Sequence, residues 1–301
     1  MFSVEVAIKK IFCNIGWTLA LFLPLATDVA SNEKVLDSID SDVAVKALII
    51  TSIKPLALIA QAALGNTVRV EFLQSASQSA HELTLNASAL DKIHRASLVI
   101  LIGGQFEPRI SKVVHALSGK AVIQALDLPL SEGKLDTNEQ NHPHNMDPHV
   151  WLNPYNANVI AHAIQSKLGV AQQNVISESQ INALKNSLKP VSTHSYISHH
   201  AVLGHFSQAF NVSTGMSIRD SSGGRKGAKS QYLMRNDARS NGAQCVFVEP
   251  QYADKDALVI SSALGLPLRE IDPQGIDIAL TAEGYTQFIQ ALVVQYKACF
   301  T

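Results

Sequence analysis

The sequence predicts an α/β protein of two lobes, each built on a parallel central sheet, joined by one long linking helix. Three observations carry that prediction. Short apolar runs rich in β-branched residues read as strands buried on both faces, and each gives way to a helical pattern. The alternation comes in two sets, one on each side of the chain's middle, as parallel layered folds require. Between the sets, Asn153-Pro154 opens an apolar 3.6-residue period at Val159, Ile160, Ala163, Ile164 and Leu168, which is one helix. The expected organisation is a leader over 1–31, a first lobe over 32–152, the linking helix over 153–169 and a second lobe over 170–301.

In chain order, Lys9 and Lys10 precede the apolar run Trp17 to Ala26, which has the length of a signal-peptide core and is short for a membrane span. Small residues follow at Val29-Ala30-Ser31, so residues 1–31 read as an export signal, and Cys13 leaves with it. A polar lead runs from Asn32 to Asp42. Ala47 to Ile53 is the first strand, Leu56 to Leu64 a helix stopped by Gly65, and Val68 to Leu73 a strand. Asn86 to His94 is helical, Leu98 to Gly104 a buried strand, and Pro108 to Leu117 a helix. Residues 129–146 are polar, lack periodicity and read as an exposed loop. After the linking helix, Ser177 to Leu188 is a further helix. The second set is Tyr196 to Ser198 (strand), Ala201 to Phe210 (helix) and Val212 to Ile218 (extended). A Gly-rich turn, Ser221 to Gly227, precedes a helix to about Asn241. Cys245 to Pro250 (strand), Asp254 to Leu264 (helix), Leu266 to Ile271 (strand) and Thr281 to Ala298 (helix) complete it.

The chain is 47% hydrophobic and only 16% charged, which excludes a disordered polymer, and its net charge of −1 gives no electrostatic footprint for nucleic acid. Once the leader is removed, two cysteines remain, Cys245 and Cys299. In an oxidising compartment an isolated pair most simply forms a disulfide, the alternative being two buried thiols.

Three histidines stand where a strand gives way to a loop or helix. His81 follows the second strand and a small-residue loop, His149 sits between Pro148 and the linking helix, and His200 follows the Tyr196–Ser198 strand. Strand ends in parallel α/β sheets converge on the ligand crevice. Neutral imidazoles meeting there suit a borderline cation such as zinc. Asp272 ends the last strand before Pro273 and is the best candidate for a fourth ligand. Glu82 and Glu249 are alternative oxygen donors, and His199 competes with His200 for the third position. His142 and His144 in the polar loop offer a weaker metal catch. His94, His115 and His162 lie in helical patterns and read as structural; His194 and His205 flank the third candidate and can support it.

Several stretches carry a resemblance to a known family. Asp147-Pro148-His149-Val150-Trp151-Leu152 is similar to the D-P-H-x-W-L block of the cluster A-I (cluster 9) metal-binding proteins, the periplasmic zinc-binding components of ABC importers. Ser79 to Leu85 resembles that family's S-x-H-[DE]-[YL]-x-L segment, and Gly103-Gly104-Gln105-Phe106-Glu107 its G…[FM]-E stretch. Cys245-Val246-Phe247-Val248-Glu249-Pro250-Gln251-Tyr252 and Asp272-Pro273-Gln274-Gly275 look closest to the zinc-specific branch. The resemblance spans nearly all of residues 46–300. It implies a metal site of His81, His149 and His200 between the lobes, pairing of Cys245 with Cys299, and zinc rather than manganese as cargo. It further implies a membrane permease as partner, a periplasmic location, a monomer and no enzymatic activity. The family's H-D-A after the third ligand reads His200-Ala201-Val202 here, which removes an Asp that could position the histidine. Two other readings compete: an exported zinc hydrolase, for which no HExxH-type helix or general base is evident, and a metal-free relative acting as an adhesin or scaffold.

Overall fold

The first lobe follows from its two most apolar strands. In the computed structural model, which describes residues 46–82, 84–134, 147–252 and 255–301, β1 is Leu48–Thr51 and β3 is Leu98–Leu101. Ile49, Ile50 and all four β3 side chains are shielded from solvent, so both faces of these strands must be covered. Helices do so: α1 (Lys54–Leu64), α2 (Ala87–Arg95) and α3 (Pro108–His115). The edge strands are β2 (Arg69–Phe72) and β4 (Val122–Gln124), giving the order β2-β1-β3-β4, every pair parallel. Local chemistry sets the helix ends. Pro55 stands in the first turn of α1 and Gly65, at φ 60°, closes it; the Asn86 side chain accepts the Ala89 amide to start α2.

The linking helix α4 is Pro154–Lys167, capped by the Asn153 side chain, which accepts the Tyr155 and Asn156 amides. A capping box between Ser177 and Gln180 then starts α5 (Glu178–Leu188). The second lobe repeats the plan of the first. Strands β5 (Ile197–His200), β6 (Met216–Arg219), β7 (Val246–Val248) and β8 (Leu268–Glu270) form a parallel sheet in the order β6-β5-β7-β8. Helices α6 (Gly204–Phe210), α7 (Ala228–Ser240), α8 (Lys255–Leu264) and α9 (Gly284–Lys297) surround it.

One apolar core joins the lobes. Helix α1 packs against both α4 and α9, so the last helix of the chain reaches back to the first. Leu56, Leu58, Trp151, Ile160, Phe206, Tyr285, Phe288 and Tyr296 belong to a single buried cluster. Hydrogen bonds cross it: Trp151 Nε1 donates to the Pro273 carbonyl at 2.8 Å, and the Tyr285 hydroxyl to the Trp151 carbonyl at 2.9 Å. Interiors packed in this way resist gradual deformation, which favours small rearrangements over a wide hinge. Cys245 and Cys299 form a disulfide that ties the start of β7 to the end of the chain.

The structure alters the sequence reading in three places. The first strand of the second lobe begins one residue later than Tyr196 and runs two residues past Ser198, so His199 and His200 are the end of β5 and do not follow it. Helix α6 accordingly starts at Gly204 and not at Ala201. Strand β4 is absent from the sequence reading, because three residues at a sheet edge, only Ile123 of them buried, make too short a pattern to register. The leader over 1–31, the polar lead to Asp42 and the His142/His144 segment lie outside the described residues. No helix among those described is long and apolar enough to cross a membrane.

Candidate metal centre

The site is assembled from the ends of three elements. His149 follows Asp147-Pro148; Pro148 and Pro154 fix their own φ and restrict the residues before them, Asp147 and Asn153, which stiffens the turn that carries His149 at both ends. His200 is the last residue of β5, and His81 sits in the turn of 3-10 helix Ala80–Glu82 that follows the loop after β2. The three imidazoles meet. Their ring centroids lie 5.0 Å (His149–His200), 5.4 Å (His81–His149) and 5.6 Å (His81–His200) apart. One nitrogen from each falls within 4.8 Å of the others. The rings wall a void of about 10 Å³, enough for one water-sized body.

Carboxylates decide which nitrogens face that void. Asp147 Oδ1 accepts from both the His149 amide, at 3.0 Å, and its Nδ1, at 2.7 Å. Glu249 Oε1 accepts from His200 Nδ1 at 2.5 Å. All four side chains are at most 3% exposed, so water offers no substitute for either bond. With Nδ1 carrying the proton in each ring, both Nε2 atoms present lone pairs, and they stand 3.2 Å apart. Two lone pairs at that separation repel unless a proton or cation lies between them. A tetrahedral zinc with bonds near 2.05 Å would hold two nitrogens about 3.3 Å apart. His81 Nε2, buried and without a hydrogen-bond partner, adds a third donor.

Burial disfavours the charged forms of His81 and His149. Desolvation, reinforced by the neighbouring His149 and His200, pushes His81 down to about 2. Burial also dominates at His149 and lowers it, despite the Asp147 carboxylate working the other way. Burial would raise Asp147, but electrostatic interaction with the neighbouring His149 and the hydrogen bonds that His149 donates hold that carboxyl below its ordinary value. Neutral imidazoles are the form that binds a metal.

Support reaches one layer further. His205 Nε2 donates to the Asp147 carbonyl at 2.9 Å, and Asn156 Nδ2 donates to His205 Nδ1 at 3.3 Å. Gly204 is required here: a Cβ on it would collide with Asp147 Oδ2 and with the Lys134 carbonyl. Trp151 packs edge-on to His149, Phe106 to His81 and Tyr252 to His200.

Of the four residues proposed from sequence, the structure brings His81, His149 and His200 together and leaves Asp272 out. Asp272 Oδ1 accepts from Gln251 Nε2, at 2.8 Å, and from the Gln274 amide, at 2.9 Å; its Oδ2 accepts the Ile276 amide at 2.5 Å. An Asp before a proline turn is a natural acceptor for backbone amides, and that local chemistry takes the side chain. His199 faces Tyr252, with ring centroids 4.7 Å apart, and groups with His200 and Glu249 instead of with the other two rings. His194 packs against Phe300, while His205 has the supporting part considered for it. The orienting roles of Asp147 and Glu249 were missed. The adjacency of Asp147 to His149 was the available signal for the first, whereas nothing in the sequence links Glu249 to His200.

Comparison with known proteins gives a consistent picture. The family described as ZnuA, zinc-uptake complex component A periplasmic, matches residues 49–299. The High-affinity zinc uptake system protein ZnuA of Haemophilus ducreyi is 24% identical over 288 residues, covering 84% of this chain and 93% of that protein. Its counterpart from Yersinia pestis is 26% identical over 292 residues, covering 84% and 91%. Among solved structures, a zinc-bound 138–173 deletion mutant of ZnuA superposes with a TM-score of 0.71 at 20% identity, covering 84% of this chain and 97% of that one.

Proposed function

Because the chain belongs to the ZnuA family of periplasmic zinc-uptake components, we propose that His81, His149 and His200 are the ligands with which it captures its metal ion. The chain is the substrate-binding component of an ABC importer: it takes up the ion between its lobes and passes it to a membrane permease. The observation that carries the ligand assignment is the pair of carboxylates. Asp147 and Glu249 each hold one Nδ1–H, so that two Nε2 lone pairs converge at 3.2 Å beside the unpartnered Nε2 of His81. Ligating histidines are oriented in this way by the acceptor on the other nitrogen.

Zinc is the ion that this donor set favours. Three nitrogens in a small void suit a borderline cation with tetrahedral preference, whereas manganese prefers more oxygen and a larger shell. Asp272 is committed elsewhere and does not complete the set. Metal binding then biases the equilibrium between the lobe arrangements, and the permease reads the loaded one. The lobes share a packed core, so the difference between those arrangements is small. We place the protein in the periplasm, as a monomer, with the leader over 1–31 directing export.

The test is His149→Ala. Removing one of three nitrogen ligands should weaken zinc binding by at least about a hundredfold. Binding as tight as in the unsubstituted protein would refute the assignment.

A further inference from the structure

The three histidines are not held alike. His149 and His200 each have a buried carboxylate against Nδ1. No carboxylate among the described side chains is paired with His81. Its ring is also the more accessible one, since on its other side lies a cavity of about 460 Å³ lined by Thr84, Gln105, Phe106, Glu107 and Arg109. What fixes His81 is its loop, residues 74–81, and that loop is fastened to the opposite lobe. The Tyr252 hydroxyl lies 2.7 Å from Ser79 Oγ, and Ser79 Oγ in turn accepts the His81 amide at 3.3 Å. Gln251 Nε2 donates to the Ala76 carbonyl at 3.1 Å, and Gln274 Nε2 to the Gln78 carbonyl at 2.9 Å. Asp272 gathers the two glutamines, accepting from the Gln251 side chain and the Gln274 backbone.

We propose that Tyr252, with Gln251 and Gln274, is a positioning device that holds His81 in the site from across the cleft, and that His81 is the ligand released first when the lobes part. The proposal rests on the reading of His81, His149 and His200 as the metal ligands. His149 and His200 keep their carboxylate partners whatever the 74–81 loop does. His81 has the adjoining cavity to swing into once Tyr252 lets go. A small separation of the lobes, too small to disturb the shared core, would break three hydrogen bonds to one loop and remove one ligand. The motif residues Gln251-Tyr252 and Asp272-Pro273-Gln274 thereby gain a purpose that direct coordination does not give them.

The experiment is a double-mutant cycle on zinc release. Tyr252→Phe keeps the ring against His199 and His200 and removes only the hydroxyl. The rate at which a chelator strips zinc is measured for the wild type, Tyr252→Phe, His81→Ala and the double variant. The loss of one hydrogen bond should speed release about fivefold in the wild-type background and leave it unchanged in the His81→Ala background. In zinc-free protein, amides within 75–82 should exchange faster in Tyr252→Phe while those of α1 and α9 do not. Unchanged release from Tyr252→Phe, an equal acceleration in both backgrounds, or unchanged exchange at 75–82 would each overturn the proposal while leaving the metal site standing. No zinc binding by the wild type would overturn both.

Discussion

Glu249→Gln asks whether tautomer control makes this site. The substitution preserves size and removes the charge from a carboxylate that is 2% exposed and sits 2.5 Å from His200 Nδ1. The amide has two ways to respond. If its oxygen meets Nδ1–H, the tautomer survives but the bond loses its charge assistance. If its NH2 group meets Nδ1, the proton moves to Nε2 and the lone pair aimed at the metal is lost. Outer contacts of this kind are worth about 10- to 100-fold in metal affinity, about 1.4–2.7 kcal/mol. The first response gives the lower end and the second the upper. Competition with a zinc chelator at neutral pH measures the loss, and histidine nitrogen NMR of the zinc-free protein reports the His200 tautomer. Affinity within twofold of wild type would refute the argument that Glu249 aims His200.

Three further outcomes follow from the same structure. Gly204→Ala should shift Asp147 off His149, weaken zinc binding about tenfold and lower stability by about 1–3 kcal/mol, as read by chelator competition and denaturant titration. Cys299→Ser opens a loop spanning 54 residues and should cost about 4 kcal/mol in denaturant titration, an effect that reduction of the wild type reproduces. Because His81 is pushed down to about 2 and His149 is also lowered, the unfolded chain binds more protons than the folded one below the ordinary histidine value near 6.5. Stability of the zinc-free protein is therefore fully present above about pH 6.5 and is lost as pH falls below it. Melting curves from pH 7.5 to 4.5 should show that fall, and a flat profile would contradict it.

Much of the fold was readable because its strands are buried on both faces. The runs at β1 and β3 have no polar alternation to mislead, and the capping signals at Asn86, Asn153 and Ser177 mark helix starts directly. The edge strand β4 lacked that signal. His81, His149 and His200 could be named because each lies near a strand end or a proline-restricted turn, where topology dictates convergence. What topology cannot state is where a side chain points. Asp272 is at the right end of the right strand, yet its oxygens serve the Gln274 and Ile276 amides. Glu249 and His200 are 49 residues apart and meet only because β7 lies beside β5. The inter-lobe hydrogen bonds to residues 74–81 are likewise products of packing, with no local pattern to announce them.

The most direct test of the metal site is calorimetric titration of zinc, then manganese, into the purified protein after chelator treatment, with melting curves alongside. One equivalent of zinc should bind tightly and raise the melting temperature, and manganese should bind more weakly. Absence of both heat and thermal shift with zinc would contradict this, and would mean that three converging imidazoles had been kept without the metal they are arranged to hold.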